Sequence, residues 1–133
     1  MRTHIFIKKI DNEKNKELVR FLLAGGGAVI ADLLAYILIV KFLDYNLAKG
    51  ISFGLGSLVA YFLNNFWTFK AASVNHINLV RFTTLYLSTF VFNVTTNNLV
   101  FVLLEDKWIA FFFATCFSAI INYVGQKIWV FRK

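Results

Sequence analysis

The stretch from Phe21 to Val40 is twenty residues long and contains one formal charge, Asp32. A helix of twenty residues rises about 30 Å, which matches the thickness of the hydrocarbon core of a bilayer. Asp32 lies twelve residues after Arg20, so about 18 Å along the helix axis and near the middle of the membrane. A charged side chain at that depth costs at least about 2.5 kcal/mol. We therefore expect Asp32 to face protein groups or a polar cavity, and it is the first candidate functional residue.

The composition is typical of a membrane protein rather than of a soluble domain. Of the 133 residues, 59% are hydrophobic and only 16% are charged, too few to give a soluble domain of this length a polar surface. The net charge is +7, but the Lys and Arg residues stand between apolar segments and do not form a basic surface with interleaved aromatic residues. We interpret this charge as a topology signal that also attracts anionic lipid head groups, and we expect no nucleic-acid partner.

The apolar segments predict an all-α integral membrane protein with four transmembrane helices, in one domain at residues 19–133. The spans are predicted at about 19–40, 48–69, 82–104 and 108–128. Residues 1–18 are polar, and they predict a cytoplasmic N-terminal tail or an interfacial helix. Eleven of the fourteen Lys and Arg residues lie in the tail through Arg20, the connection 70–81 and the end from Lys127. Because such residues concentrate on the cytoplasmic side, both termini are predicted to be cytoplasmic.

Few residues could carry catalysis or bind a metal. The two histidines, His4 and His76, and the single cysteine, Cys116, do not have the spacing of a metal site. The spans contain no paired carboxylates, and no phosphate-binding loop of a nucleotide-binding fold is present in the sequence. We predict neither enzymatic activity nor a cofactor.

Small residues predict where the helices pack. Ala24, Ala28 and Asp32 recur at every fourth position, which predicts one close-packed and acidic face on the first span. In the second span, the spacing of Gly50 and Gly54 is typical of close helix contacts, although small residues are common in membrane helices.

The third span contains an unusually large number of polar residues for a segment in lipid. Hydroxyl groups can bond back to their own helix, but an asparagine amide needs a partner elsewhere. We therefore expect at least Asn93 to hydrogen-bond to another helix. The polar residues of this span are Thr83, Thr84, Ser88, Thr89, Asn93, Thr95, Thr96, Asn97 and Asn98.

The two halves of the chain resemble each other. Arg20 and Phe21 recur as Arg81 and Phe82 at a shift of 61 residues, and Asp32 falls on Asn93 at the same shift. At a shift of 62, Ala48 matches Ala110, Tyr61 matches Tyr123, Trp67 matches Trp129, Phe69 matches Phe131, and Lys70 matches Arg132. These matches predict two tandem helical-hairpin repeats in the same orientation, an arrangement that can enclose a polar site at the repeat interface.

These motifs resemble the GtrA-like family over about residues 18–132. The resemblance rests on the Arg-Phe start, the Gly-rich first span with its Asp, and a second span that ends Asn-x-x-Trp-Thr-Phe-Lys. The ending from Asn122 to Arg132 also fits. The family comprises small four-span bacterial membrane proteins of cell-surface polysaccharide synthesis. They are usually assigned as flippases for polyprenyl-phosphate-linked sugars, typically undecaprenyl-phosphate-glucose.

The resemblance implies four of the site residues, and the chemistry of a lipid-linked sugar suggests the rest. By position, the four are Asp32, Asn64, Asn93 and Asn122. The residue after Asn64 is commonly Arg in the family, whereas here it is Asn65, and Lys127 holds the equivalent place in the second copy. This departure leaves only one of the two basic positions available to a phosphate. The candidate substrate-binding residues are Asp32, Tyr61, Asn64, Asn65, Asn93, Asn122, Tyr123 and Gln126. A cytoplasmic phosphate-binding rim would consist of Arg20, Lys70, Arg81, Lys127 and Arg132.

The favoured function is translocation of a polyprenyl-phosphate-linked sugar across the bacterial cytoplasmic (inner) membrane, for glycosylation of a cell-surface polysaccharide. Membrane lipids are the expected surroundings, and four short helices suggest a homo-oligomer, at least a dimer. Two alternatives stay open: a scaffold that recruits a membrane glycosyltransferase, and a small proton-coupled exporter. For the rim the alternative is topology signalling alone, and for Asp32 it is a buried structural hydrogen bond.

Overall fold

The computed structural model describes residues 2–71 and 73–132. Four α-helices follow one another along the chain: α1 at Arg2–Ile39, α2 at Tyr45–Leu63, α3 at His76–Leu104 and α4 at Lys107–Gly125. A short π-helical turn extends α2 at Asn64–Thr68, here named π1, and another extends α4 at Gln126–Val130, here named π2. The described residues contain no strand. The predicted all-α fold is therefore confirmed.

Three helical segments within the described residues are long and apolar enough to cross a membrane. They are Ile7–Ile39, His76–Leu104 and Trp108–Val130. Their outer surfaces are apolar, since large side chains such as Leu22, Val102 and Phe112 are more than half exposed. Such surfaces suit lipid, and the chain is a membrane protein with several apolar helices. The second predicted span, 48–69, coincides with α2 and π1, but the count of four spans and the cytoplasmic termini stay predictions.

All four helices begin before the predicted spans, and α1 and α3 do so by more than one helical turn. Residues 2–18, for which a tail or an interfacial helix was expected, continue without a break into the first span as part of α1. Lys and Glu residues favour helix, and Lys16 forms an exposed ion pair with Glu13 at 3.1 Å, one helical turn away. Helix α3 begins at His76 because Asn75 caps it, accepting a hydrogen bond of 2.7 Å from the N–H of Asn78.

The chain divides into two compact units, one ending at Ser73 and the other beginning at Val74. In the first unit, α1 packs against α2 and π1, and we call it the first hairpin. In the second unit, α3 packs against α4 and π2, and we call it the second hairpin. Both units thus have the same order of elements: a long helix, a shorter helix and a π-helical turn.

Small residues on α2 allow close packing in the first hairpin. A Cβ atom added to Gly56 would lie 2.8 Å from the Cβ of Asp32 and 2.9 Å from the carbonyl oxygen of Ala28. Ala24 and Ala28 of α1 are buried, as predicted. The partner stripe on α2 consists of Ala48, Ser52, Gly56 and Ala60, spaced four residues apart and all buried.

Gly50 and Gly54, whose spacing suggested a close helix contact, do not form one with α1. No atom lies within 4 Å of a Cβ built on either residue, and both are exposed. The buried stripe is displaced by two residues, which turns it about 200° around the helix. The Gly-x-x-x-Gly pattern is therefore on the face away from α1, and the contact depends on Gly56.

The second hairpin packs on a corresponding stripe of α4. Ala110, Ala114 and Ser118 are buried and are also spaced four residues apart. Near the end of α4, a Cβ atom added to Gly125 would lie 2.6 Å from the side chain of Leu85. In this hairpin a large side chain of α3 therefore occupies the space that the missing side chain of α4 leaves.

Gly56→Ala is expected to destabilise the protein by about 1–3 kcal/mol, because the added methyl group meets the α1 backbone, which cannot move aside locally. Gly54→Ala is the matched control. It adds the same methyl group to the same helix in open space, and it should be neutral or slightly stabilising. Equilibrium unfolding in detergent micelles measures both. Equal stabilities for the two variants would contradict the close contact.

Candidate functional site: polar groups within the hairpins

Asp32 lies where α1 and α2 approach most closely. It is half-buried, and its Oδ1 atom has no access to solvent. The absence of a side chain at Gly56 makes room for its Cβ. The structure therefore places the predicted acid in a helix contact, with part of the residue still accessible at the surface of the hairpin.

The C-terminal end of α2 widens into π1. The N–H of Phe69 donates to the carbonyl of Asn64, five residues back, at 2.9 Å, and the N–H of Ala71 donates to the carbonyl of Asn65 at 2.7 Å. Lys70 ends the segment in the left-handed region, with φ of 49°. The ring of Phe69 packs on Phe21 of α1, with centroids 6.4 Å apart. π-Helical insertions occur frequently at functional sites.

The two asparagines of π1 have different environments. Asn64 is buried, and its Oδ1 accepts a hydrogen bond of 2.9 Å from the hydroxyl of Thr68, one turn later. Asn65 is 0% exposed, and neither its Oδ1 nor its Nδ2 has a hydrogen-bond partner among residues 2–71 and 73–132. A buried polar group without a hydrogen bond typically costs about 1–3 kcal/mol. Asn65 is thus an unfavourable residue for stability alone.

Four polar side chains of the second hairpin form hydrogen bonds between α3 and α4. Asn93 of α3 donates through Nδ2 to the Oγ of Ser118 on α4, at 2.9 Å. The expectation that Asn93 pairs with another helix is therefore confirmed. Thr89 Oγ1 lies 3.1 Å from Asn122 Oδ1 and 2.8 Å from the Leu85 carbonyl, so its one proton is shared between two acceptors. These bonds hold α3 to α4.

Two of the predicted rim cations contact groups of the second hairpin. Arg81 Nη1 donates to the carbonyl of Trp129 in π2 at 3.2 Å, so it satisfies one of the carbonyls that a helix end leaves unpaired. Lys127 Nζ lies 3.3 Å from the hydroxyl of Tyr123 and 5.4 Å from its ring centroid. Arg132, after π2, is exposed.

Two of the predicted rim cations, Arg20 and Lys70, belong to the first hairpin. Arg20 is half-buried and Lys70 is exposed, and both lie within electrostatic reach of Glu13 on α1. The structure thus brings these two cations to one end of the first hairpin. Whether all five predicted cations form one phosphate-binding rim stays a prediction.

The remaining predicted residues lie inside their own hairpins. Tyr61 and Gln126 are almost fully buried, and Tyr123 is half-buried. The sequence prediction did not include Ser57 or Thr68 of the first hairpin among the site residues. Because Thr68 follows Asn64 by four residues, the spacing could have indicated the contact between Thr68 and Asn64. Among the described residues, no three His, Cys, Asp or Glu side chains come together to hold a metal ion.

A model of the GtrA/DPMS transmembrane domain family matches residues 20–131. The chain belongs to this family. The GtrA/DPMS match begins at Arg20 and ends at Phe131, so it includes the apolar part of α1, all of α2, α3 and α4, and both π-helical turns. It confirms the resemblance inferred from the motifs, and it fits a membrane function related to polyprenyl-phosphate sugars.

The hydrogen bond between Asn93 and Ser118 should be measurable as a coupling energy in this GtrA/DPMS domain. Unfolding free energies of Asn93→Ala, Ser118→Ala and the double variant form a double-mutant cycle. Since such bonds in membrane proteins average about 0.6 kcal/mol and reach about 1.7, we expect a favourable coupling in that range. Thr95 with Ser118 provides the control pair, because Thr95 donates to its own helix at Val91. Additive effects of Asn93→Ala and Ser118→Ala would contradict the bond.

Proposed function

We propose that this GtrA/DPMS protein translocates a polyprenyl-phosphate-linked sugar across the bacterial cytoplasmic membrane. Undecaprenyl-phosphate-glucose is the cargo that the family resemblance favours, and the sugar would serve cell-surface polysaccharide glycosylation. The observation that carries the proposal is the burial of Asn64, of Asn65 and of the Oδ1 atom of Asp32 inside a hairpin whose outer surface is apolar. The protein would act without enzymatic chemistry and without a cofactor.

The chemistry of the cargo explains why such a surface is useful. A lipid-linked sugar has an anionic phosphate, several hydroxyl groups and a long apolar tail. Moving the polar head through hydrocarbon is costly because each unpaired polar group costs several kcal/mol there. Amide, hydroxyl and carboxyl groups of the spans would replace water as hydrogen-bond partners of the head. The tail would stay in lipid, next to exposed apolar side chains such as Leu22.

Cations near the ends of the hairpins would attract the phosphate. Arg81 uses one N–H on the Trp129 carbonyl, and an arginine has five N–H donors, so others are left for a phosphate oxygen. Lys70 and Arg132 are exposed at the ends of π1 and π2. Cations at the ends of the hairpins attract any anionic lipid head group. Other residues must therefore recognise the sugar.

Reconstitution in vesicles tests the proposal. Vesicles that contain the full chain and a prenyl-phosphate-glucose should expose the sugar in the opposite leaflet faster than vesicles of the same lipids alone. An impermeant, glucose-specific reagent added outside measures the exposed fraction. Equal rates with and without the protein would overturn translocation.

A scaffold that recruits a membrane glycosyltransferase is the second candidate. One observation favours it: two pairs of polar side chains join α3 to α4 in the second hairpin, as a purely structural role would require. A scaffold would bind a glycosyltransferase stably but would not accelerate sugar movement in vesicles. The vesicle measurement therefore distinguishes the two functions.

Asp32 should matter for translocation through hydrogen bonding. Asp32→Leu removes both carboxylate oxygens and is expected to slow transport about tenfold or more, the effect of one lost hydrogen bond. Asp32→Asn keeps an acceptor and adds a donor, so it should slow transport less. Asp44→Asn is the matched control, since Asp44 accepts from the N–H of Leu47 at the start of α2 and Asn caps helices equally well.

Transport at the wild-type rate by Asp32→Leu would remove Asp32 from the mechanism. A pH dependence that disappears in Asp32→Asn but persists in Asp44→Asn would assign proton coupling to Asp32. Transport rates in vesicles buffered at several pH values provide both comparisons.

A further inference from the structure

Among the described residues, the buried polar side-chain atoms that lack a hydrogen-bond partner lie in the first hairpin. Both polar atoms of the fully buried Asn65 side chain lack a partner among the described residues, and so does the buried Oγ of Ser57. Both residues lie on the segment formed by α2 and π1. They are eight residues apart, about 12 Å along a helix axis. The segment ends at Lys70, an exposed cation.

The corresponding positions of the second hairpin differ. At a shift of 62 residues, Ser57 is replaced by Ala119 and Asn65 by Lys127, whose Nζ is 3.3 Å from the hydroxyl of Tyr123. In that hairpin, α3 is joined to α4 by the hydrogen bonds from Asn93 to Ser118 and from Thr89 to Asn122. The second hairpin therefore uses these four polar side chains to hold α3 to α4.

The kind of group missing around Asn65 indicates the chemistry of a ligand. Its Nδ2 requires an acceptor and its Oδ1 requires a donor. An ionised phosphate has only acceptors, so it would satisfy one of the two atoms and leave the other buried and unpaired. A hydroxyl group both donates and accepts. The hydroxyl of Ser57 has the same double requirement.

We propose that Asn65, together with Ser57, binds hydroxyl groups of the sugar, so that the first hairpin selects the sugar while cations bind the phosphate. This inference rests on the proposed function, since it takes the cargo to be a lipid-linked sugar. Asn65 would contact the head group near the cation Lys70, and Ser57 would contact it about two helical turns farther along α2. A cation such as Lys127, at the corresponding position of the second hairpin, would favour phosphate instead, so Asn65 shifts the preference towards hydroxyl groups.

Because Asn65 is fully buried, binding must include a local opening of π1. The N–H groups of Phe69 and Ala71 bond to the carbonyls of Asn64 and Asn65, so their hydrogen exchange reports this opening. A bound sugar should change the exchange of these two amides, whereas a ligand bound only at exposed cations should not.

The test compares two probes in detergent: farnesyl-phosphate-glucose, and farnesyl phosphate without the sugar. Asn65→Leu should weaken binding of the glucose-bearing probe about tenfold and leave the affinity for farnesyl phosphate unchanged, because only the first probe offers hydroxyl groups. Asn98→Leu is the matched control, since Asn98 is an exposed asparagine of α3 outside the candidate site. It should change neither affinity.

Thermal unfolding of the same variants separates binding from structure. Asn65→Leu should raise the unfolding temperature, because it replaces an unpaired buried amide with an apolar group of comparable size. Asn65→Ala provides a second variant if leucine does not fit, and it should show the same selective loss of the glucose-bearing probe.

Equal weakening for both probes, or no weakening for either, would overturn the inference. The first result would mean that Asn65 binds the phosphate. The second would mean that buried water hydrogen-bonds to the Asn65 amide. If the wild-type protein binds neither probe and does not accelerate sugar movement, the proposed function itself fails.

Discussion

The close approach of two helices within each hairpin is the constraint on which the rest of the structure depends. Lipid chains are as apolar as the helices, so helix pairs in a bilayer are held by tight packing and by hydrogen bonds. The first hairpin relies on packing, with Gly56 against the backbone of Ala28 and the Cβ of Asp32. In the second hairpin, hydrogen bonds from Asn93 to Ser118 and from Thr89 to Asn122 also hold α3 to α4.

This difference affects what each hairpin can do. In the first hairpin, which packs on small residues, Asn65 and Ser57 keep hydrogen-bonding capacity. In the second hairpin, the polar side chains that join α3 to α4 use this capacity on one another. The two hairpins have the same order of elements but can therefore have different roles. The first would provide contacts for a polar head group, and the second would provide stability. Unpaired buried groups reduce stability, a cost that functional sites commonly carry.

The sequence predicted the helical class, the segments that form the hairpins and the family, because apolar length and the Trp-x-Phe endings are strong local signals. It also predicted that Asn93 would bond to another helix. It did not predict the π-helical turns, since nothing local distinguishes Asn64–Thr68 from an ordinary last turn. The Gly50 and Gly54 spacing was misleading because Gly-x-x-x-Gly does not specify which side of the helix meets the partner. Only the observed contacts at Gly56 decide this.

The central claim is that polar side chains inside apolar helices bind the hydrophilic head group of a lipid-linked sugar. Native mass spectrometry of the full chain, purified with its bound lipids from bacterial membranes, tests this claim most directly. We predict an adduct whose mass and fragments identify a polyprenyl phosphate carrying a hexose, enriched over its share of the membrane lipids. A protein that carries only bulk phospholipids, in the proportions of the surrounding membrane, would contradict the account.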